Sequence, residues 1–363
     1  MNDDTFFPKK YTDAIKGIAI LLMFTLHLLQ EGWMANPQNI WDVRINGSAL
    51  SSIIAYACDI CIGIFAFITG YGWSGSFKAK TKRKRIWDIY SKYWFILVLF
   101  DVPIRLIASV INEGNLPHFN ILEIVLSLFA IQSYSALFQW YVFFFAIAVL
   151  TYPYVWKRLR KTKNPIMLCF VLGLLSIAPR IVLNMIPGYE AVPSVIRDSI
   201  SHYINWMPVI LMGSVCRHFG LLERIDKAIG SIIGNTFKTT IAYLFVLFVI
   251  LGKGFFQFLS GRYVNLDPIY IVPFIYSLIL IINSINNNAC FNALKRSGGV
   301  SLYLWLSHRV LLYEPIRGVI LHLRFPVLII AVSLVIMFPI GTIMVRIERF
   351  LTDNLLKHKN LVV

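Results

Sequence analysis

The chain has 363 residues, of which 58% are hydrophobic and 14% charged, and its formal net charge is +16; its mean hydropathy is +0.69. A soluble domain carries about a quarter of its residues as Asp, Glu, Lys or Arg, so this composition excludes an ordinary soluble protein and points to a polytopic membrane protein. The surplus of Lys and Arg lies in short polar stretches between apolar runs, which reads as an orientation signal across a bilayer and not as a nucleic-acid footprint.

Crossing a bilayer takes roughly 20 apolar residues. Candidate runs begin near residues 15, 50, 93, 120, 138, 165, 202, 238, 268, 299 and 327. The run over 120–134 is the weakest, because it is short, contains Glu123 and leads into the polar QSYS. Removing it leaves about ten transmembrane helices plus a re-entrant or surface helix near 120–134. The expectation is an all-α, polytopic integral membrane protein forming a single transmembrane domain over 1–363, with no removable signal peptide and no appended soluble domain. Both termini then share one side with KAKTKRKR (Lys78 to Arg85), KRLRK (Lys157 to Lys161), Arg217, Arg224, Lys227, Lys295, Arg296, Arg346, Arg349, Lys357 and Lys359. The opposite loops hold little more than Arg44, Arg197, Arg262 and Arg324. The basic side is expected to be cytoplasmic. No internal repeat is visible, unlike the paired halves of many transporters. The cysteines sit in or beside apolar runs. Cys58 and Cys61 form a CxxC without a second pair or nearby His, so they read as small buried hydrophobes and not as metal ligands.

The first run, DAIKGIAILLMFTLH, begins with an acid and a base and ends in a histidine. Eleven residues separate Lys16 from His27 along the helix, roughly 16 Å or half the apolar thickness. Eleven steps of about 100° return to nearly the same face. One stripe therefore carries Asp13, Lys16, Ile20, Phe24 and His27, with Asp13 and Lys16 at the cytoplasmic mouth and His27 near the midplane or slightly outward. Lys16 reads either as an anchor reaching for the headgroups or as a ligand group. His27 reads either as a helix-to-helix hydrogen-bonding partner or as a catalytic base suited to neutral pH. On the third helix Asp101 and Arg105 are four apart and can neutralise each other; otherwise Arg105 faces a cavity. Arg180, Glu314 and Arg317 lie towards outer ends of spans. His308 lies about ten residues into its helix, a second histidine at mid-depth. Ser301 and Tyr303 read as packing or helix-to-helix contacts, and Trp140 as a belt anchor or a sugar platform.

Several stretches together resemble the acyltransferase 3 family of membrane-bound acyltransferases. DAIKGIAILLMFTLH is similar to its opening signature at Asp13, Gly17 and His27, with Lys16 where Arg is usual. FAFITGYGW (Phe65 to Trp73), FQWYVFFFAIAVLTYPYVW, ILMGSVCRHFGLL and SGGVSLYLWLSH (Ser297 to His308) follow in the family's order and cover nearly the whole chain. One departure is in KRKRIWDIYSKYW: Arg85 matches the first Arg of the family's RxxR pair, Asp88 stands at the second, and Lys82 with Arg85 offers a similar pair one turn earlier.

What this resemblance implies is an O-acetyltransferase. It would take acetyl from cytoplasmic acetyl-CoA as co-substrate, with no bound cofactor or metal, and place it on a hydroxyl of a surface polysaccharide or its lipid-linked precursor. The implied catalytic residues are His27 and His308. Asp13, Lys16, Lys82 and Arg85 would serve the donor; Asp101, Arg105, Trp140, Arg180, Ser301 and Tyr303 would line the cavity or acceptor side. The expected partners are the acyl-CoA, a glycan and the bilayer, with no nucleic acid. The alternative expectation is a transporter or flippase for a lipid-linked glycan. A glycosyltransferase is disfavoured, because no outer loop is longer than roughly two dozen residues.

Overall fold

The computed structural model describes residues 6–30, 41–45, 47–77, 81–113, 120–131, 140–176, 186–188, 194–260, 265–285, 288–312 and 316–359. These are almost entirely helical. In chain order the helices are α1 (Lys9–Leu29), α2 (Leu50–Ala57), α3 (Ile60–Ser76), α4 (Lys82–Ile96), α5 (Val102–Glu113), α6 (Ile121–Leu128), α7 (Trp140–Leu159) and α8 (Pro165–Leu175). They continue as α9 (Ser194–His218), α10 (Leu221–Gly230), α11 (Asn235–Ser260), α12 (Asp267–Ser284), α13 (Asn288–Gly299), α14 (Ser301–Ser307), α15 (Ile316–Leu321) and α16 (Pro326–Lys359). The expected all-α membrane architecture is present. Among the described residues, seven helices, taking α2 with α3 and α4 with α5, are long and apolar enough to cross a membrane. The others fall short for visible reasons. Pro165–Leu175 has only 11 residues, Ser194–His218 is diluted by Ser199, Ser201, His202, Asn205 and Pro208, and α14 stops at Ser307, where the chain tightens into a 3₁₀ turn over His308–Leu312.

Two close crossings build the centre. α3 lies across α9, and α1 lies across α13. Each crossing is made of small residues. A Cβ on Gly70 would collide with the Ile210 carbonyl, and one on Gly213 with the Phe67 carbonyl. At the other crossing, Gly17 lies against the backbone of Leu294 and Gly298 against that of Asp13. Membrane helices gain little from apolar side chains against lipid, so close backbone approach and interhelical hydrogen bonds carry the association. Ser214 illustrates the second: its hydroxyl donates to the Gly70 carbonyl at 2.9 Å and shares a 3.0 Å hydrogen bond with Tyr152 of α7. Around these crossings packs one large core that includes Phe7, Ile15, Phe24, Phe67, Tyr71, Trp206 and Phe274.

Local breaks have local causes. Between α4 and α5 the helix widens into a π turn over Leu97–Asp101. Pro103 follows it; a proline in a helix lacks an N–H and crowds the carbonyl four residues back, here Leu99, and a wider turn relieves both. The segment expected to be re-entrant or superficial contains α6, whose 8 residues span about 12 Å and cannot cross. Its C-terminal carbonyls dock on α4: Tyr90 donates to Phe129 at 2.8 Å, Trp94 to Leu128 at 2.8 Å, and Tyr93 to Ser127. A two-residue antiparallel hairpin, β1 (Arg44–Ile45) with β2 (Ser48–Ala49), precedes α2; Gly47 has φ +85°, a turn conformation that favours glycine. Asp42 accepts a 2.5 Å hydrogen bond from the Ser51 N–H in the first turn of α2, offsetting one of the unsatisfied donors there.

Candidate functional site

α1 ends at Leu29, which puts His27 in its last turn. His308 begins the 3₁₀ turn that follows α14. The two rings, from opposite ends of the sequence, stack with centroids 4.7 Å apart and planes 27° from parallel. Phe24, one turn before His27, meets His308 edge-on at 6.3 Å. His308 is 3% exposed, whereas His27 is half-buried and lines a narrow cleft with Leu311, Leu312, Arg317 and Ile320. The cleft thus brings Arg317 of α15 alongside His27.

The protonation pattern of His308 follows from its surroundings. Its Nδ1 lies 2.5 Å from the Trp305 carbonyl. A carbonyl only accepts, so Nδ1 carries the proton and Nε2 of the neutral ring keeps the lone pair. Trp305 is itself held edge-on by Tyr141 at 5.4 Å, and Ser307 donates to the Tyr303 carbonyl at 2.7 Å. The break in the helix and the ring's orientation are thereby set by neighbouring side chains.

The remaining expected residues fall into separate groups. Lys16 pairs with Asp13 at 3.3 Å, both partly exposed, beside the α1–α13 crossing. Lys82 and Arg85 occupy a different corner, between α3, α4 and α7. Lys82 donates to the Leu150 carbonyl at 3.3 Å and lies 4.4 Å from the Tyr154 ring centroid. Arg85 donates to Ser76 at 3.2 Å and sits over Phe77 at 5.0 Å and Trp73 at 5.9 Å. Tyr303, read as a helix-to-helix contact or as an acceptor-side residue, donates its hydroxyl to Glu348 at 2.5 Å, and Glu348 pairs with Lys92 at 2.9 Å. That network ties α14 to α16 and α4, the helix that starts with Lys82 to Arg85. Ser301 is buried at the start of α14. Trp140 opens α7, where His202 of α9 stacks on its indole at 3.9 Å. Arg180 lies outside the described residues, as do the side chains of Asp101 and Arg105.

A second polar constellation is missed by the sequence reading. Lys253 of α11 contacts Asp59, at the joint between α2 and α3, and lies 2.6 Å from Asp267, the first residue of α12. All three are buried. The signal was available: Lys253 interrupts the apolar stretch VILGKGFF and Asp59 interrupts ACDICIGIF, and a charge inside a span is costly enough to need a partner. Cys58 and Cys61 flank Asp59; both are buried and neither is in a disulfide. Among the described residues no group of three or more His, Cys, Asp or Glu is arranged to hold a metal ion.

No family model, curated protein or solved structure matches the chain.

Proposed function

We propose that this is a membrane-embedded acyltransferase that moves an acetyl group from cytoplasmic acetyl-CoA to a hydroxyl of a cell-surface polysaccharide or its lipid-linked precursor. The observation that carries the reading is the stacked pair of His27 and His308, with Arg317 on the same cleft as His27. The motif resemblance supplies the reaction class. In this reading ten helices cross a bacterial inner membrane, both termini are cytoplasmic, and the donor enters from the Lys/Arg-rich side.

The chemistry needs a base, a stabiliser of developing negative charge and a route for one proton. His308 offers an Nε2 lone pair because Nδ1 is committed to the Trp305 carbonyl. The acceptor hydroxyl gives its proton to one imidazole of the pair as its oxygen attacks the thioester carbonyl. Arg317 faces the charge that gathers on the carbonyl oxygen. The C–S bond then breaks, and the CoA thiolate takes up the proton as the ester leaves. Two imidazoles in contact resist being charged together, so the proton taken by one is passed on rather than stored. On the donor side, Arg85 and Lys82 offer cations beside aromatic faces for the nucleotide end of CoA.

The test is the O-acetyl content of the host's surface glycans in a deletion strain, the same strain carrying the wild-type protein, and the same strain carrying His27→Ala at equal membrane level. Restoration by the wild type alone supports the enzyme. Unchanged acetylation on deletion, with reduced glycan export, replaces it with the second reading, a transporter or flippase. That reading is favoured by a different observation, the buried Asp59–Lys253–Asp267 cluster, since intramembrane charges often mark ion pathways.

A further inference from the structure

Lys253 is held at the centre of a sealed set of polar groups. Its ammonium contacts Asp59 and lies 2.6 Å from Asp267 Oδ1. Gln257, one turn on, donates to Asp59 Oδ2 at 3.4 Å, and the Tyr270 hydroxyl donates to Asp267 Oδ1 at 2.8 Å. Asn265 accepts from the Asp267 N–H at 3.1 Å and donates to the Asn205 carbonyl at 3.3 Å, which links the set to α9. The second oxygen of Asp267, Oδ2, is turned towards Gly63, whose missing Cβ leaves it room. That oxygen is buried and accepts no hydrogen bond among the described residues.

Among the described residues the charges do not balance. Two carboxylates face one ammonium, and the described side chains beside them add none: Cys58 and Cys61 from α2–α3, Gln257 from α11, Tyr270 from α12 and Asn205 from α9 are residue types neutral near pH 7. A net negative charge in an apolar interior is strongly disfavoured, and the usual outcome is protonation. A second cation fits poorly, because the ammonium already fills the space between the carboxylates. Asp267 Oδ2, turned away from Lys253 onto Gly63, is the oxygen that can carry a proton without displacing the ion pair.

We propose that Asp59, Asp267 and Lys253 form an intramembrane proton-binding site, in which the two aspartates share one exchangeable proton. Lys253 is seven residues before the end of α11 at Ser260, about 10 Å along the axis, and Asp267 opens α12. The site therefore lies towards the end of the molecule opposite the basic segments, and it exchanges its proton with that side. Loss of the proton leaves an unbalanced charge where α2–α3, α11 and α12 meet, so the packing of these helices depends on proton occupancy. The inference is independent of acyl transfer.

The experiment is infrared difference spectroscopy of the purified full-length protein in lipid nanodiscs, titrated from mildly acidic to mildly alkaline pH. The wild type is expected to show a protonated carboxylic-acid band at neutral pH that moves when aspartate carboxyls are labelled with ¹³C. Asp59→Asn and Asp267→Asn each leave one carboxylate on one ammonium, a balanced site with nothing to protonate, so either variant is expected to lose the band. The labelled wild type gives the result even where a variant fails to fold. No such band in the wild type at any pH, a band insensitive to aspartate labelling, or a band that survives in both variants overturns the proposal. A wild type without the band but stabilised by sodium ions overturns it in favour of a cation site.

Discussion

The histidine pair and the Lys253 cluster are both polar groups gathered from distant parts of the chain, but they are built to opposite designs. The histidines sit where two helices stop, one ring half-buried on a cleft and the other fixed by a carbonyl. The lysine and its aspartates are sealed on all sides and satisfied largely by one another. A ring with one face on a cleft can meet a ligand at little cost to folding. A buried charge cluster with strong internal partners is costly to disturb and closed to anything larger than a small ion. In the proposed reading, the contrast separates groups placed for chemistry from groups that hold helices together and bind a proton.

Experiments that break this contrast can be ranked by size. Lys253→Met should have the largest effect on stability, because it leaves the buried charge shared by Asp59 and Asp267 without its partner; removing one partner of a buried pair costs about 3–5 kcal/mol. Thermal unfolding in detergent measures it. Adding Asp59→Asn and Asp267→Asn to that variant should recover most of the loss. A Lys253→Met protein as stable as wild type would show that the cluster is not sealed.

The histidines should behave in reverse. His27→Gln and His308→Gln should each lower acetyl transfer at least about a hundredfold, the low end for loss of a general acid–base group. His27→Gln should also shift stability by less than about 1 kcal/mol, the range of a substitution outside the core. A large loss of stability with proportionate loss of activity would make His27 a packing residue.

Gly298→Ala tests whether the histidine pair depends on helix placement. The added methyl group meets the Asp13 backbone, and overpacking costs about 1–3 kcal/mol. Since α1 carries His27, activity should fall further than the stability change explains, while the Lys253 cluster, on other helices, keeps its infrared signature. Tyr303→Phe should cost about 1–2 kcal/mol by removing a hydrogen bond to a charged acceptor, with the acceptor KM unchanged, because its hydroxyl meets Glu348. The smallest effect belongs to Lys16→Ala. The Asp13–Lys16 pair is partly exposed and contributes less than about 0.5 kcal/mol. A rise in KM for acetyl-CoA without loss of stability would assign Lys16 to the donor.

Parts of this molecule are legible residue by residue. The apolar runs announce helices, since a backbone in lipid must satisfy its own hydrogen bonds. The short α6 follows from Glu123 and the polar QSYS, and the arrest of α14 at its histidine is not foreseen. Gly17 and Gly298, met first as parts of motifs, are the contact points of two helices. Tyr303 reads as a helix-to-helix contact in SGGVSLYLWLSH, but its partner, Glu348, lies 45 positions away and is not legible from the motif.

The sequence by itself determines the class of protein, because hydropathy and the spacing of charges are local properties that one pass along the chain can sum. It also singles out His27 and His308, since an ionisable side chain in an apolar run is anomalous wherever the helix lies. It does not determine which anomalies meet. Whether Lys253 pairs with Asp59, Asp267 or neither, and whether the two histidine rings meet, depends on which helix faces pack. That is decided by small-residue crossings such as Gly70 on Ile210 and Gly298 on Asp13, where the backbones approach too closely to admit a Cβ and so fix the neighbours of the other residues on the helix.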